Sequence, residues 1–408
     1  MTEKKIIIFL YNRLFDPVIQ SNFWLYIHHI MNDPRVSYKL LVITYEDSRH
    51  PLTNSQLQLL KIWQQKGFTW RKLKWHPGQG IFNKLLDIVY GFFAVCTFRI
   101  KGAKHIITIA SVAGTFGYLY SLVLRLRLFL YQFEPHSEYA IDNNMWPKNS
   151  LQYRLSNYLE RKSAAYASVI ASGTRFMEQR LKDEWKVSAE FVKIPTVANQ
   201  DKFIFSESDR MEVRKELNIT DEQRILFYPG KFGDLYYREE TAFMFKWLNE
   251  IEPRLHFLIV TPHTDEEVKA LFEKAGVSPQ NYTIRHSAYD HIHRFYSAAD
   301  FAVIAVPPGP SKKFISNIKV GEYLCAGLPY LITRGVSEDY LFAEDRKVGV
   351  VVDDFKEEFI KKAWPEIKSF LEMDPAIRRT HCRKMGLEYR GFDHLNKQFR
   401  LAISKLSR

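Results

Sequence analysis

Cysteine is scarce in this chain: Cys96, Cys325 and Cys382 are the three in 408 residues. They stand far apart and make no close pair, which excludes a disulfide framework and a cysteine zinc centre and fits a reducing, cytosolic compartment. Other absences narrow the choice further. No Walker-type loop is present, and no His/Cys cluster suggests a metal, so no cofactor is expected. No recognised nucleic-acid motif accounts for the net charge of +12, and no nucleic-acid partner is expected. That charge asks for some anionic partner without choosing among phosphates, nucleic acid and lipid. The most apolar stretches carry Lys84 and Asp87, or Arg125 and Arg127, which disfavours a membrane span. Lys4 and Lys5 lead into Ile6–Leu10, a run too short for a secretory signal that reads as a buried first strand.

What is present is the composition of a folded protein, 46% apolar and 25% charged, in a chain long enough for two cores. Apolar runs at Lys5–Tyr11, Tyr38–Tyr45, His105–Ile109, Leu128–Phe133 and Ala167–Ala171 alternate with segments of helical length, beginning with Ser21–Met31. This is the pattern of a parallel sheet with helices on both faces. The order breaks at Phe191–Val197, where Ile194-Pro195 ends a strand. It restarts with strands at Arg224–Tyr228, His256–Thr261, Tyr282–His286, Phe301–Val306 and Tyr330–Thr333. Helices are expected at Glu239–Ile251, Asp265–Ala275, His291–Ala299 and Lys319–Ala326. The expected fold is α/β, two tandem doubly wound Rossmann-like domains facing a cleft, with domains at 1–197 and 198–375 and a basic helix at 376–408 packing back toward the first.

The segment Pro307–Pro329 carries the most chemistry. A buried strand enters a polar loop, and a helix starting near Ser316 ends at Gly327 before Pro329. A helix amino terminus presents unpaired amides and partial positive charge, and Ser316, Asn317, Ile318 and Lys319 stand where a phosphate would be held. One turn on, Glu322 can accept hydrogen bonds from vicinal sugar hydroxyls. Lys319, Glu322, Tyr323, Leu324, Gly327 and Pro329 resemble the Lys-x-x-Glu-Tyr-Leu-x-x-Gly-x-Pro donor-site signature of the retaining GT-B glycosyltransferases grouped as family four. The resemblance implies that Glu322 binds the nucleotide ribose. It further implies transfer of a sugar, with retention and without metal, from a nucleoside-diphosphate donor to a hydroxyl of a glycan or lipid-linked glycan in bacterial surface polysaccharide assembly. One position departs from it. Many relatives carry a second Glu eight residues earlier, near the donor sugar, where this chain has Phe314; no acidic residue occurs from Phe301 to Gly321.

After the first strand of the second domain come Gly230, Lys231 and, further on, Arg238. They resemble the family's Gly-Arg and Lys cations that hold the diphosphate, with Lys and Arg exchanged and a longer spacing. Fixed cations there stabilise the charge gained by a departing diphosphate. In the first domain, Glu134, His136 and Glu138 follow an apolar strand, and the family often places a His there, near sugar and acceptor. These groups can orient or deprotonate an acceptor hydroxyl. The first loop, Asn12–Ser21, lies where relatives have a Gly-rich turn but contains no glycine, leaving Gln20 and Ser21 at the helix start. Lys84, Tyr90, Phe92, Phe93, Phe98, Arg99, Lys101, Lys104, Arg125 and Arg127, with Asp87 the sole acid between Ile81 and Leu130, suit a surface resting on an anionic bilayer at the inner face of the cell membrane. The alternatives are a GT-B epimerase or phosphorylase, and a silent nucleotide-sugar-binding protein.

Overall fold

The structure, a computed structural model, describes residues 4–32, 38–76, 81–131, 134–220 and 222–407, in two compact units: Met1–Pro195 with Leu395–Arg408, and Thr196–His394. The first holds seven strands, β1 Lys4–Leu10, β2 Tyr38–Glu46, β3 Phe68–Lys74, β4 His105–Ile109, β5 Arg127–Tyr131, β6 Val169–Ser172 and β7 Glu190–Lys193. All pair in parallel, in the order β3-β2-β1-β4-β5-β6-β7. Helices cover both faces, so the inner strands are continuous apolar runs; Ile6 through Leu10 are all buried. The edge strand β3 differs, because Arg71, Lys72 and Lys74 keep its edge in water. That charge hid it from hydropathy. Phe133, expected in the fifth strand, lies outside the described residues.

The second unit holds β8 Arg224–Pro229, β9 Leu255–Val260, β10 Tyr282–Arg285, β11 Phe301–Ile304, β12 Tyr330–Thr333 and β13 Gly349–Val352, also parallel, in the order β10-β9-β8-β11-β12-β13. Alternate residues of β8 divide between two cores. Ile225 and Phe227 pack with Tyr296, Tyr323 and Leu324 on one face; Leu226 and Tyr228 pack with Phe245 and Phe257 on the other. Cys325 and Cys382 are buried in the first of these, where burial pushes both thiols up to about 12, so they act as small apolar groups.

The tail, expected as one basic helix, forms two: Pro375–Arg390 and Phe392–Leu406, separated at Gly391. The first packs in the second unit, where a Cβ on Gly386 would stand 2.6 Å from Leu324 Cβ. In the second, Phe399 belongs to the first unit, stacked on Tyr26 at 4.8 Å with its edge to Tyr131. Among the described residues no helix is long and apolar enough to cross a membrane.

Candidate functional site

In the second unit the strands run outward one way from β8 and the other way from β11, which are neighbours, so the carboxyl ends of these two strands flank the topological switch point. Open parallel sheets bind ligands there. The loop Gly230–Arg238 leaves the first of these strands, and the loop leading to the helix Ile318–Cys325 leaves the second.

That helix starts at Ile318, with Asn317 as its cap; the Asn317 side chain accepts from the Lys319 amide at 3.1 Å. Helix geometry leaves the Ile318 amide without an intrahelical partner. Ser316 does not sit at the helix end as a free donor. Its Oγ accepts from the Thr196 amide at 2.9 Å and from Arg390 Nη1 at 2.7 Å, and so ties the loop to the start and end of its own unit. Arg390 in turn makes a fully buried ion pair with Asp339, whose Oδ1 also accepts from Tyr389 at 2.9 Å.

Lys319 extends back over the first loop. Its Nζ lies 4.2 Å from the Tyr236 ring centre, and a Cβ on Gly230 would stand 2.9 Å from Nζ and 2.9 Å from the Tyr228 hydroxyl. Glycine at 230 is therefore what lets the cation reach this place. Glu322, one turn along, is 5% exposed and accepts from the Tyr296 hydroxyl at 2.7 Å. Burial pushes its carboxyl up to about 7, against the pull of Tyr296, Lys319 and Lys202. Lys202 is itself held 3.4 Å over the Tyr289 ring. Lys202, Tyr289 and Tyr296 went unread in the sequence, because Lys202 falls in the polar stretch between the two domains' strands, Tyr289 between an expected strand and helix, and Tyr296 within a helix that carried no motif.

Lys231 and Arg238 are exposed. The Tyr228 hydroxyl donates to the Lys231 carbonyl and fixes the loop, leaving the ammonium at the surface. Arg238 precedes the helix Glu239–Ile251, and its amide donates to Glu240 at 3.1 Å. Phe314, in a 3-10 turn Lys312–Phe314, is 4% exposed and packs inward, with Lys313 Nζ 4.9 Å from its ring.

In the first unit, Glu134 and His136 lie just before and at the start of the short helix His136–Asp142. Burial pushes Glu134 up to about 7 and His136 below the usual histidine range, and His136 meets Trp146 edge-on at 5.6 Å. Glu138 is occupied by a bidentate pair with Arg180, with Nη1 to Oε2 at 2.7 Å, so it is poorly placed to act as a base. Glu160 accepts both the Ser137 amide at 2.9 Å and its hydroxyl at 2.7 Å. It is buried with its carboxyl pushed up to about 7, and nothing in the sequence marked it. Gln20 and Ser21 are not at a helix start: the helix Pro17–Met31 begins earlier, capped by Asp16, and the Gln20 amide is bonded to the Asp16 carbonyl at 2.8 Å. Ser21 is buried and donates to the Val18 carbonyl at 3.3 Å. Among the described residues there is no group of three His, Cys, Asp or Glu placed to hold a metal.

No family model matches the sequence, and no curated protein does. Solved structures do match. Sucrose-phosphate synthase from Thermosynechococcus elongatus superposes over 99% of this chain and 99% of its own, with a TM-score of 0.70 at 14% identity. Anabaena HepE in complex with UDP and glucose covers 98% of this chain and 99% of its own, with a TM-score of 0.69 at 13% identity. The chain has the GT-B fold. WaaG, a glycosyltransferase involved in lipopolysaccharide biosynthesis, covers 97% of this chain and 98% of its own, with a TM-score of 0.64 at 14% identity. Within the GT-B fold, the described switch point belongs to the second Rossmann-like sheet, with Gly230 and Lys319 brought together beside it.

Proposed function

We propose that the chain is a glycosyltransferase that takes a sugar from a nucleoside diphosphate, with retention and without metal, and gives it to a hydroxyl of a glycan or lipid-linked glycan in bacterial surface polysaccharide assembly. The observation that carries this reading is Lys319 Nζ held over Gly230 at the switch point, with the buried Glu322 one helical turn away. Lys319 and the helix start provide positive charge for a diphosphate, and Glu322 provides an acceptor for ribose hydroxyls. HepE, with UDP and glucose in a matching fold, makes a uridine nucleotide the first donor to try.

In the reaction the bond from the anomeric carbon to the diphosphate oxygen breaks and its electron pair leaves with the nucleoside diphosphate. The acceptor oxygen bonds to that carbon, and its proton leaves with the diphosphate. Lys231, Arg238 and Lys319 stabilise the growing negative charge electrostatically. Glu134 and His136 orient the acceptor hydroxyl. Retention rests on the signature resemblance.

A cytoplasmic protein serving a lipid-linked acceptor would meet the inner face of the membrane. The helix Ile81–Ile100 exposes Phe82, Leu85, Val89, Phe93 and Ile100. Arg99, Lys101, Lys104 and Arg125 lie near its end, and the one acid of this region, Asp87, is buried. Apolar side chains among cations without exposed acids match an anionic lipid surface. A second copy of the same face would set cation against cation.

The test is release of nucleoside diphosphate from UDP-, GDP-, CDP- and dTDP-sugars with an acceptor panel, alongside thermal shift. Turnover with any donor supports the reading. Stabilisation by a nucleotide sugar without turnover would replace it with a silent binding protein, a reading that the inward-packed Phe314 and the glycine-free first loop keep in view. An epimerase would interconvert the sugar without releasing nucleotide to an acceptor, and its need for acids around the sugar fits poorly with the acid-free segment from Phe301 to Gly321.

A further inference from the structure

The basic tail turns much of its charge inward. On the helix Pro375–Arg390, Arg378, Arg379 and Arg390 are buried and Arg383 is half-buried. Three of these four meet the helix Ile318–Cys325, which carries Lys319 and Glu322. At its carboxyl end, where helix geometry leaves carbonyls unpaired, Arg379 Nη1 donates to the Ala326 carbonyl at 3.0 Å and Arg383 Nη1 to the Cys325 carbonyl. In its middle, a Cβ on Gly321 would stand 3.0 Å from Arg390 Cβ, so glycine there lets the helix lie against the arginine stem. Just before its amino end, Arg390 Nη1 reaches Ser316 Oγ.

Arg390 joins three segments of the chain. Its Nη2 pairs with buried Asp339, and its Nη1 also donates to Thr196 Oγ1 at 2.7 Å and to the Thr196 carbonyl at 3.1 Å. Asp339 cancels its charge, so Arg390 acts on the loop through geometry rather than through its field. A planar guanidinium with N–H groups in a fixed fork can span such a set, and an ammonium cannot. Ser316 Oγ accepts from both Arg390 and the Thr196 amide and lies 3.1 Å from Thr196 Oγ1, which spends the hydroxyl inside the protein. The next residue, Asn317, caps the helix, and Ile318 follows with the amide open to a phosphate.

We propose that Arg390 is a positioning residue for the donor: by gripping Ser316 it fixes the helix start so that the Ile318 amide and the Lys319 ammonium converge on the diphosphate. Ser316 is then a strut and not a phosphate contact. The role rests on the glycosyltransferase reading for its ligand.

Calorimetry with UDP, or with whichever of GDP, CDP and dTDP the wild type binds, tests it on Ser316→Ala, Arg390→Lys and the double variant. Arg378→Lys is the control, because Arg378 is buried on the same helix but bonds the Phe370 carbonyl and Asp300 instead. Ser316→Ala and Arg390→Lys should each weaken nucleotide binding about tenfold, as for one lost hydrogen bond, and the double variant should bind no worse than the weaker single. Arg378→Lys should lose stability in denaturant and bind nucleotide as wild type does. Hydrogen exchange of Ser316→Ala without ligand is the second measurement, and it decides even where Arg390→Lys does not fold. The amides of Lys319 and Val320, both bonded to Asn317, should exchange faster, and those of the helix Glu357–Glu372 should not. Unchanged affinity in Ser316→Ala or in a folded Arg390→Lys, additive losses in the double variant, an equal loss in Arg378→Lys, or unaltered exchange at Lys319 and Val320 would each overturn the proposal. A wild-type chain that binds none of the four nucleotides removes the donor reading and this role with it, whereas binding that the variants leave intact removes this role alone.

Discussion

Replacing Glu322 with glutamine should make the protein more stable and a poorer nucleotide binder at once. In the folded chain burial raises this carboxyl from 4.5 to about 7. A raised carboxyl favours the fold while protonated, below pH 4.5, and that favour is lost as pH rises through about 7. At pH 8 the ionised Glu322 therefore costs roughly 3 kcal/mol relative to the neutral form, at about 1.36 kcal/mol per pKa unit. Glutamine is neutral at every pH and keeps an oxygen for the Tyr296 hydroxyl. Denaturant unfolding should show Glu322→Gln more stable than wild type by up to about 3 kcal/mol at pH 8, with the difference shrinking as pH falls below 7 and vanishing below about pH 4. Ligand binding should move the other way. Losing charge-assisted bonds of about 1.5–3 kcal/mol to ribose hydroxyls weakens nucleotide affinity roughly 10- to 100-fold by calorimetry. Wild-type affinity should also strengthen as pH rises through 7, with proton release on binding. A variant that is less stable at pH 8, or that binds nucleotide as well as wild type, would refute the reasoning.

Gly230→Ala places a methyl against Lys319 Nζ and the buried Tyr228 ring. It should cost about 1–3 kcal/mol of stability and weaken nucleoside diphosphate binding, whereas unaltered affinity would show that the cation's place over the loop is immaterial. Lys231→Ala should lower kcat by at least about tenfold with a smaller effect on nucleotide affinity, as expected of a group that acts on developing charge; the reverse split, measured in steady state, would assign it to binding alone. Asp339→Ala strands the buried Arg390 and should destabilise by about 3–5 kcal/mol in denaturant unfolding, and a near-neutral result would contradict the buried pair. Phe82→Ser combined with Phe93→Ser should reduce binding to anionic phosphatidylglycerol vesicles at least about tenfold in co-sedimentation, while equal binding by the variant would discard this face as the contact.

Local pattern was enough for much of this chain. Continuous apolar runs such as Ile6–Leu10, spaced by segments of helical length, specified a doubly wound α/β fold, because a strand covered on both faces must be apolar on both. Spacing likewise set Lys319 and Glu322 on one helix, since residues three apart share a face. Strands whose edges meet water, such as β3 with its three cations, were invisible to the same logic.

What tertiary structure decided was the company each side chain keeps. Only the pairing of β8 with β11 brings Gly230 under Lys319, residues 89 positions apart in the chain. Only packing ties Ser316 to Thr196 and Arg390, occupies Glu138 with Arg180, and turns Phe314 inward. The pairing of Asp87 with His76 and Tyr11, from three separate elements, also belongs to the fold alone. Hydropathy and spacing are properties of neighbours along the chain. Hydrogen-bond partnership and the pKa of a buried group depend on neighbours in space, which the sequence encodes but does not display.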